Sequence, residues 1–260
     1  MYKRQLWLKA IIFSTLVLSL PVVQSKEYTV GIEDINYYPH YDFSGAEPRG
    51  YFFELMQLFS KSSGHQFKFQ KLPVKRLYLA AKDEVDLVYP DNPLWQQYLY
   101  ASYPKTFSEP VIYTLGSTMV RPEHRNLSVA SVRNLAVIHG FTPTRWLELK
   151  KLHNFKVVDV QDAYSALGLL TKQRVDAAVV EYNVAQAYLT EFKLPAALVI
   201  GEQLPFTEVP FLLSTVNHSE LIAEFNQFLK TERVAIQALK EQFKLIEHKT
   251  SLQELKAPAS

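Results

Sequence analysis

Short apolar runs alternate with longer amphipathic stretches along most of this chain. Residues 28–32 (YTVGI) predict a first strand. Residues 50–60 (GYFFELMQLFS) carry their apolar side chains on one broad helical face, with Gly64 placed to end the helix. Alternation over 65–69 predicts a strand, 74–82 a helix, 86–89 a strand and 111–120 a further strand-like run. The order then resumes with strand 136–138, helix 144–152, strand 156–160, helix 163–172, strand 177–180, helix 183–192 and strand 197–200. Ser219 stands where a cap would open a long amphipathic segment that runs to about Phe243, with a break near Thr231. Short apolar strands separated by helices in β-α-β order predict an α/β protein whose sheets are mainly parallel and flanked by helices.

One pattern occurs twice. Residues 77–86 read LYLAAKDEVD and residues 167–176 read LGLLTKQRVD, with Leu77/Leu167, Leu79/Leu169, Lys82/Lys172, Val85/Val175 and Asp86/Asp176 matching at one offset. Any helix-turn-strand unit can look like this. The other reading is a molecule of two similar lobes, each holding a helix, a turn closed by Asp and a buried strand. No low-complexity or Pro/Gly-rich linker divides the chain, so two hinge strands, such as 113–120 and 211–216, would join the lobes. The expected division is a discontinuous first lobe, 26–114 plus 213–250, a second lobe, 115–212, and a C-terminal tail, 251–260.

The first 25 residues are set apart. Lys3, Arg4 and Lys9 precede an apolar run of about eleven residues, Ala10 to Leu20, which is shorter than the ~20 needed to span a bilayer. Pro21 ends the run, and small residues lead to an expected cut after Ser25. This is the pattern of a secretory signal peptide, with an uncleaved anchor as the alternative. It places the protein in the periplasm, and with no cysteine after the apolar run a lipid anchor is not expected. Loss of residues 1–25 removes three basic residues and no acids, which takes the net charge from +2 to −1. That balance gives no drive toward nucleic acid. Zero cysteines exclude disulfides, thiolate catalysis and Cys-ligated zinc. Stability must then come from a core, which 260 residues with 48% hydrophobic content can supply.

In order and spacing the motifs resemble the bacterial extracellular solute-binding proteins of family 3, the polar-amino-acid receptors of ATP-driven importers. The likeness covers about 27–247 and rests on YTVGIEDINYYPHYDF, RGYFFELMQLF, RLYLAAKDEVDLVYP, YPKTFSEPVIY, AVIHGFTPT and RVDAAVVEYNVA. It implies a two-lobed type II periplasmic-binding fold that closes on a ligand between the lobes. One departure stands out. The amino-acid receptors place Thr-x-Glu-Arg after the strand matching 86–89, and that Arg holds the ligand's α-carboxylate. Here the segment reads PDNPLWQQYL, without Arg.

Ligands of open parallel sheets sit beyond the carboxyl ends of the strands. Glu181 stands at such an end, and the resemblance implies that it receives the ligand's ammonium group. Its other reading is an acid that favours the first turn of the following helix. In HGFTPT, Gly140 lets the backbone approach a ligand, while Thr142 or Thr144 can cap the next helix and offer a hydroxyl. His139 reads as a packed loop residue. Arg76 is the remaining source of a guanidinium fork for a carboxylate, or else a surface arginine. Tyr89, Asp91, Asn92 and Trp95 lie in a proline-bounded segment suited to a shaped wall, with Asp91 and Asn92 able to hydrogen-bond a polar ligand. The resemblance also implies an aromatic ring stacked on the ligand from the first loop, which carries Tyr37, Tyr38 and Tyr41; of these, Tyr38 and Tyr41 are the candidates. Glu54 reads as a dipole-favoured acid.

There is no HExxH, no phosphate-cradling glycine loop and no Gly-x-Ser-x-Gly, and the seven histidines are scattered. No metal and no cofactor is expected. The expected function is capture of a small polar or zwitterionic, amino-acid-like solute for ABC-type import by a monomer that meets a membrane permease. The alternatives are a ligand-sensing protein serving a membrane receptor, and an enzyme on the same fold resembling the cyclohexadienyl dehydratases, for which Glu181 would be the proton-transfer acid.

Overall fold

The computed structural model describes residues 25–95, 103–194 and 198–256; the expected targeting segment, residues 1–24, lies outside them. The chain runs through β1 (Glu27–Glu33), β2 (Asn36–Tyr37), β3 (Tyr41–Asp42), α1 (Tyr51–Ser63), β4 (Gln66–Leu72), α2 (Val74–Ala80), β5 (Leu87–Asp91), β6 (Thr106–Phe107) and β7 (Ile112–Val120). It continues through β8 (Asn134–Ile138), α3 (Thr144–Leu149), β9 (Lys156–Val160), α4 (Ala163–Thr171), β10 (Ala177–Glu181), α5 (Tyr182–Glu191), β11 (Val199–Ile200) and β12 (Thr207–Thr215). Helices α6 (Ser219–Thr231), α7 (Arg233–Gln242) and α8 (Lys249–Lys256) follow. No helix among the described residues is long and apolar enough to cross a membrane.

Two parallel groups of strands, β4-β1-β5 and β10-β8-β9, are joined through an antiparallel pair, β12 and β7. Among the described residues β12 is the strand that links the two groups. Its first part, Thr207 to Phe211, pairs with β7, and its last part pairs with β5 through a register shift between Leu212 and Ser214. The parallel strands have apolar cores because helices cover both faces: Val30, Ile32, Leu87, Ala177 and Ala178 are all fully buried.

The helices follow the periodicity of their sequences. α1 buries Tyr51, Phe52, Leu55, Met56 and Phe59 on one face, each large side chain stabilising the fold by about 1.5–3 kcal/mol. Gly64 closes α1 in the left-handed conformation, and its N–H returns to the Ser60 carbonyl. The break near Thr231 falls at Glu232, between α6 and α7. Ser219 does not cap α6. His218 occupies that position without a side-chain bond, and Ser219 is the first helical residue. Of the expected tail, residues 251–256 lie within α8, Leu252 is buried, and residues 257–260 lie outside the described residues.

The repeated LxLxxKxxVD pattern has a structural counterpart. Asp86 and Asp176 each precede a buried strand and latch it to its parallel neighbour. The Asp86 N–H donates to the Thr29 carbonyl while its carboxylate accepts from the Thr29 N–H at 2.7 Å. Asp176 does the same with Asn134, accepting its N–H at 2.8 Å and also that of Arg133 at 2.9 Å. Both halves of the chain therefore solve one problem, the start of a central parallel strand, with one residue type.

Candidate functional site

Three carboxylates end three buried strands: Glu33 closes β1, Asp91 closes β5 and Glu181 closes β10. All three are nearly or fully buried. Their partners differ, and that difference sets the chemistry of the site.

Glu181 is saturated. Its Oε1 accepts from the Leu115 N–H at 3.0 Å and from Asn183 Nδ2 at 2.8 Å, and its Oε2 accepts from the Val184 N–H at 2.9 Å. It thus caps α5, which starts at Tyr182. His40, from the first half of the chain, brings Nε2 to 2.9 Å of the same Oε2, in a direction that makes no hydrogen bond. Asn183 extends the cluster by bonding the backbone of Ile246 through both its amide atoms.

Asp91 is paired with a buried lysine. Lys105 Nζ lies 2.7 Å from its Oδ2, with both side chains fully buried, and Ser214 Oγ donates to the same oxygen at 2.6 Å. Glu33 accepts from the hydroxyl of Tyr41. Burial raises the Glu33 carboxyl to about 7; the Tyr41 bond works against this and the nearby Asp91 charge adds to it. Burial likewise pushes the hydroxyls of Tyr37, Tyr41 and Tyr89 well up, with further contributions from Glu181 and Glu33 on Tyr37, and from Glu33 on Tyr41 and Tyr89.

Aromatic rings fill the space between the acids. The Tyr37 ring lies 5.4 Å from Tyr41, 5.9 Å from His40 and 6.4 Å from Phe211, which in turn faces Trp95 at 5.6 Å. Phe141, from the loop before α3, meets Tyr37 at 5.7 Å, so the two halves of the chain touch across the gap. Gly140 makes that approach possible. Its φ is +92°, and a Cβ there would come within 3.0 Å of the Val74 Cβ on α2.

The remaining candidates are placed as follows. Tyr38 is half-buried and covered by the Arg49 guanidinium, 4.8 Å above its ring. Tyr41 is buried against Glu33. Tyr89 stacks on Phe52 at 3.5 Å and is wholly buried. Asn92 donates to the Pro210 carbonyl at 2.9 Å and accepts from the Leu94 N–H, an arrangement that ties the end of β5 to β12. Arg76 is exposed on α2 and paired with Glu84 at 2.9 Å. Thr142 and Thr144 are exposed, and neither caps α3: Pro143 holds the cap position without a side-chain bond, and Thr144 Oγ1 reaches only the Thr142 carbonyl at 3.4 Å. Two open depressions of about 450 and 460 Å³, the first beside Leu149 and Phe206 and the second around residues 122–131, lie away from the three acids. No group of three or more His, Asp or Glu among the described residues is arranged to hold a metal.

Sequence reasoning missed Glu33, His40, Lys105 and Phe211. The signal for Glu33 was present, because it ends YTVGIE as Glu181 ends AAVVE. Lys105 and His40 had no local signal, since their partners are brought to them by the fold.

No protein-family model matches this chain, and no curated protein matches it. Solved structures do. An arginine 3rd transport system periplasmic binding protein from Legionella pneumophila superposes with a TM-score of 0.67 at 17% identity, over 84% of this chain and all of the other. An ancestral arginine-binding protein bound to arginine gives 0.67 at 19% identity, over 84% of this chain and 97% of that one. A histidine kinase sensor domain with similarity to periplasmic binding proteins gives 0.66 at 19%, over 84% and 95%. The class is thereby defined: this chain has the two-lobed α/β fold of the periplasmic binding proteins. Within that class it stands beside both transport receptors and a sensor domain, and at these identities the likeness is one of fold.

Proposed function

We propose that this chain is an exported solute-binding protein that captures a small polar solute between its two lobes and delivers it to an ABC-type membrane permease. The lobes are residues 26–114 with 213–250, and residues 115–212. β7 and β12 act as the hinge, since they form the antiparallel pair through which the two groups of strands are joined. The observation that carries the reading is the contact of a strand-ending acid across the gap, with Glu181 of β10 facing His40 of the first lobe beside the meeting of Tyr37 with Phe211. Buried carboxylates at strand ends, walled by aromatic rings, suit a solute that offers polar donors and an apolar body. The arrangement has the halves in contact, so solute entry requires opening, and differential affinity for the closed form drives closure. The fold likeness to a sensor domain supports delivery to a membrane receptor as a second reading.

The test is a thermal-shift screen of the mature chain against amino acids, amines, organic acids, sugars and short peptides. A micromolar ligand binds with about −8 kcal/mol, and at a hundredfold excess over Kd it stabilises the fold by about 2.7 kcal/mol, a readily measured rise in midpoint. A flat response across every class would overturn the solute-binding reading.

A further inference from the structure

We propose that the solute is an organic cation without a carboxylate, a protonated amine, with Glu33 as its counter-charge. This rests on the gap being the binding site, and it names the chemical class that the gap accepts.

The charges around the gap carry the inference. Three carboxylates end strands there, against one buried lysine and one buried histidine. Lys105 is held by Asp91 at 2.7 Å, and His40 faces Glu181 at 2.9 Å. Arg76 and Arg49 are exposed and already paired, with Glu84 at 2.9 Å and Asp42 at 2.8 Å. The segments outside the description between residues 25 and 256, QQYLYAS and PAA, contain no Lys, Arg or His. A carboxylate on the solute would therefore be desolvated with Lys105, Arg76 and Arg49 each already paired with an acid of this chain.

Glu33 differs from the other two acids. Its hydrogen bond comes from the Tyr41 hydroxyl, and no basic side chain pairs with it among the described residues. The ionisable groups facing it are Tyr41, Tyr37, Tyr89 and Asp91 with its lysine. A second observation points the same way. Tyr89 Oη and His40 Nδ1 are completely buried without a hydrogen-bond partner among the described residues, and their rings lie 6.0 Å from Tyr41, which bonds Glu33, and 5.9 Å from Tyr37. The Tyr37 and Phe211 faces supply the π surface that an ammonium prefers. Burial holds the Glu33 proton until an opposite charge arrives, so binding of a cation releases that proton.

Calorimetric titration of matched pairs, agmatine with arginine and cadaverine with lysine, within a wider panel of amines, neutral solutes and organic acids, tests this directly. The expected result is an amine that binds about tenfold or more tightly than its carboxylated counterpart. At about pH 6.5, titrations in buffers of different ionisation heat should show a proton released on binding. Glu33→Gln should weaken the amine by about tenfold and abolish the proton release, with a urea midpoint no lower than that of the parent. An amino acid bound as tightly as its amine, a preference for neutral or acidic solutes, or unchanged affinity in Glu33→Gln overturns the cation assignment and leaves solute binding standing. A panel in which nothing of any class binds removes both.

Discussion

Replacing Glu33 by Gln should make this protein more stable above neutral pH, although it deletes a buried acid that accepts a hydrogen bond. The carboxyl titrates at about 7 in the native state against 4.5 for the unperturbed group. A raised value means that the native state holds the proton more tightly than the unfolded chain. Below about pH 4.5 both states are protonated, and the group contributes nothing to the pH dependence. Between about 4.5 and 7 the unfolded chain loses its proton first, so unfolding free energy falls as pH rises. Above about 7 the loss is complete. Roughly 2.5 units at 1.36 kcal/mol each amount to about 3 kcal/mol. Glutamine is neutral throughout and has the same shape, and its amide oxygen still accepts from Tyr41, with a weaker bond costing about 1 kcal/mol. Urea titrations at about pH 5, 6, 7 and 8 should show near-equal stability at the acid end and an advantage of about 2 kcal/mol for Glu33→Gln at the alkaline end. A difference that stays constant with pH, or a variant weaker than the parent at pH 8, would refute the assignment of Glu33 as a buried acid without a basic partner.

Three further outcomes can be measured. Lys105→Met strands Asp91 as a buried charge without its ammonium, at a cost of about 3–5 kcal/mol in urea denaturation; adding Asp91→Asn should recover part of it, and a silent single substitution would contradict the pairing. Gly50→Ala places a Cβ 2.8 Å from the Tyr41 Cα at a φ of +106°. Backbone cannot yield there as a side-chain tip would, so a loss of about 3 kcal/mol is expected by thermal denaturation, and an unchanged midpoint would contradict the conformation. Asp176→Ala orphans the N–H groups of Arg133 and Asn134 and should cost about 2–3 kcal/mol. Hydrogen exchange at those two amides should rise with it, and unaltered protection would count against the latch.

Periodicity alone placed most of the strands and helices, because burial on one face or both leaves a mark on neighbouring residues. It also marked the Asp latches, since LYLAAKDEVD and LGLLTKQRVD repeat a local solution to a local problem. Periodicity was weakest at caps. Thr144 and Ser219 have the right chemistry for an N-cap, yet both lie inside their helices, with Pro143 and His218 in the cap positions. The backbone path into a helix depends on what the preceding loop packs against, and no window of sequence contains that.

By itself the sequence determined the alternation of elements, the apolar strands and the acids that end them, because these depend on residues adjacent along one segment. Tertiary structure alone decided which of those acids is paired with a basic side chain and which is not. Lys105 folds back under Asp91, His40 crosses to Glu181, Arg76 turns out toward Glu84, and Glu33 is left with a tyrosine. Electrostatic pairing acts through space over a few ångströms, and its partners here sit on different elements or loops, from 8 residues apart for Arg76 and Glu84 to opposite halves of the chain for His40 and Glu181, so only the folded arrangement settles it.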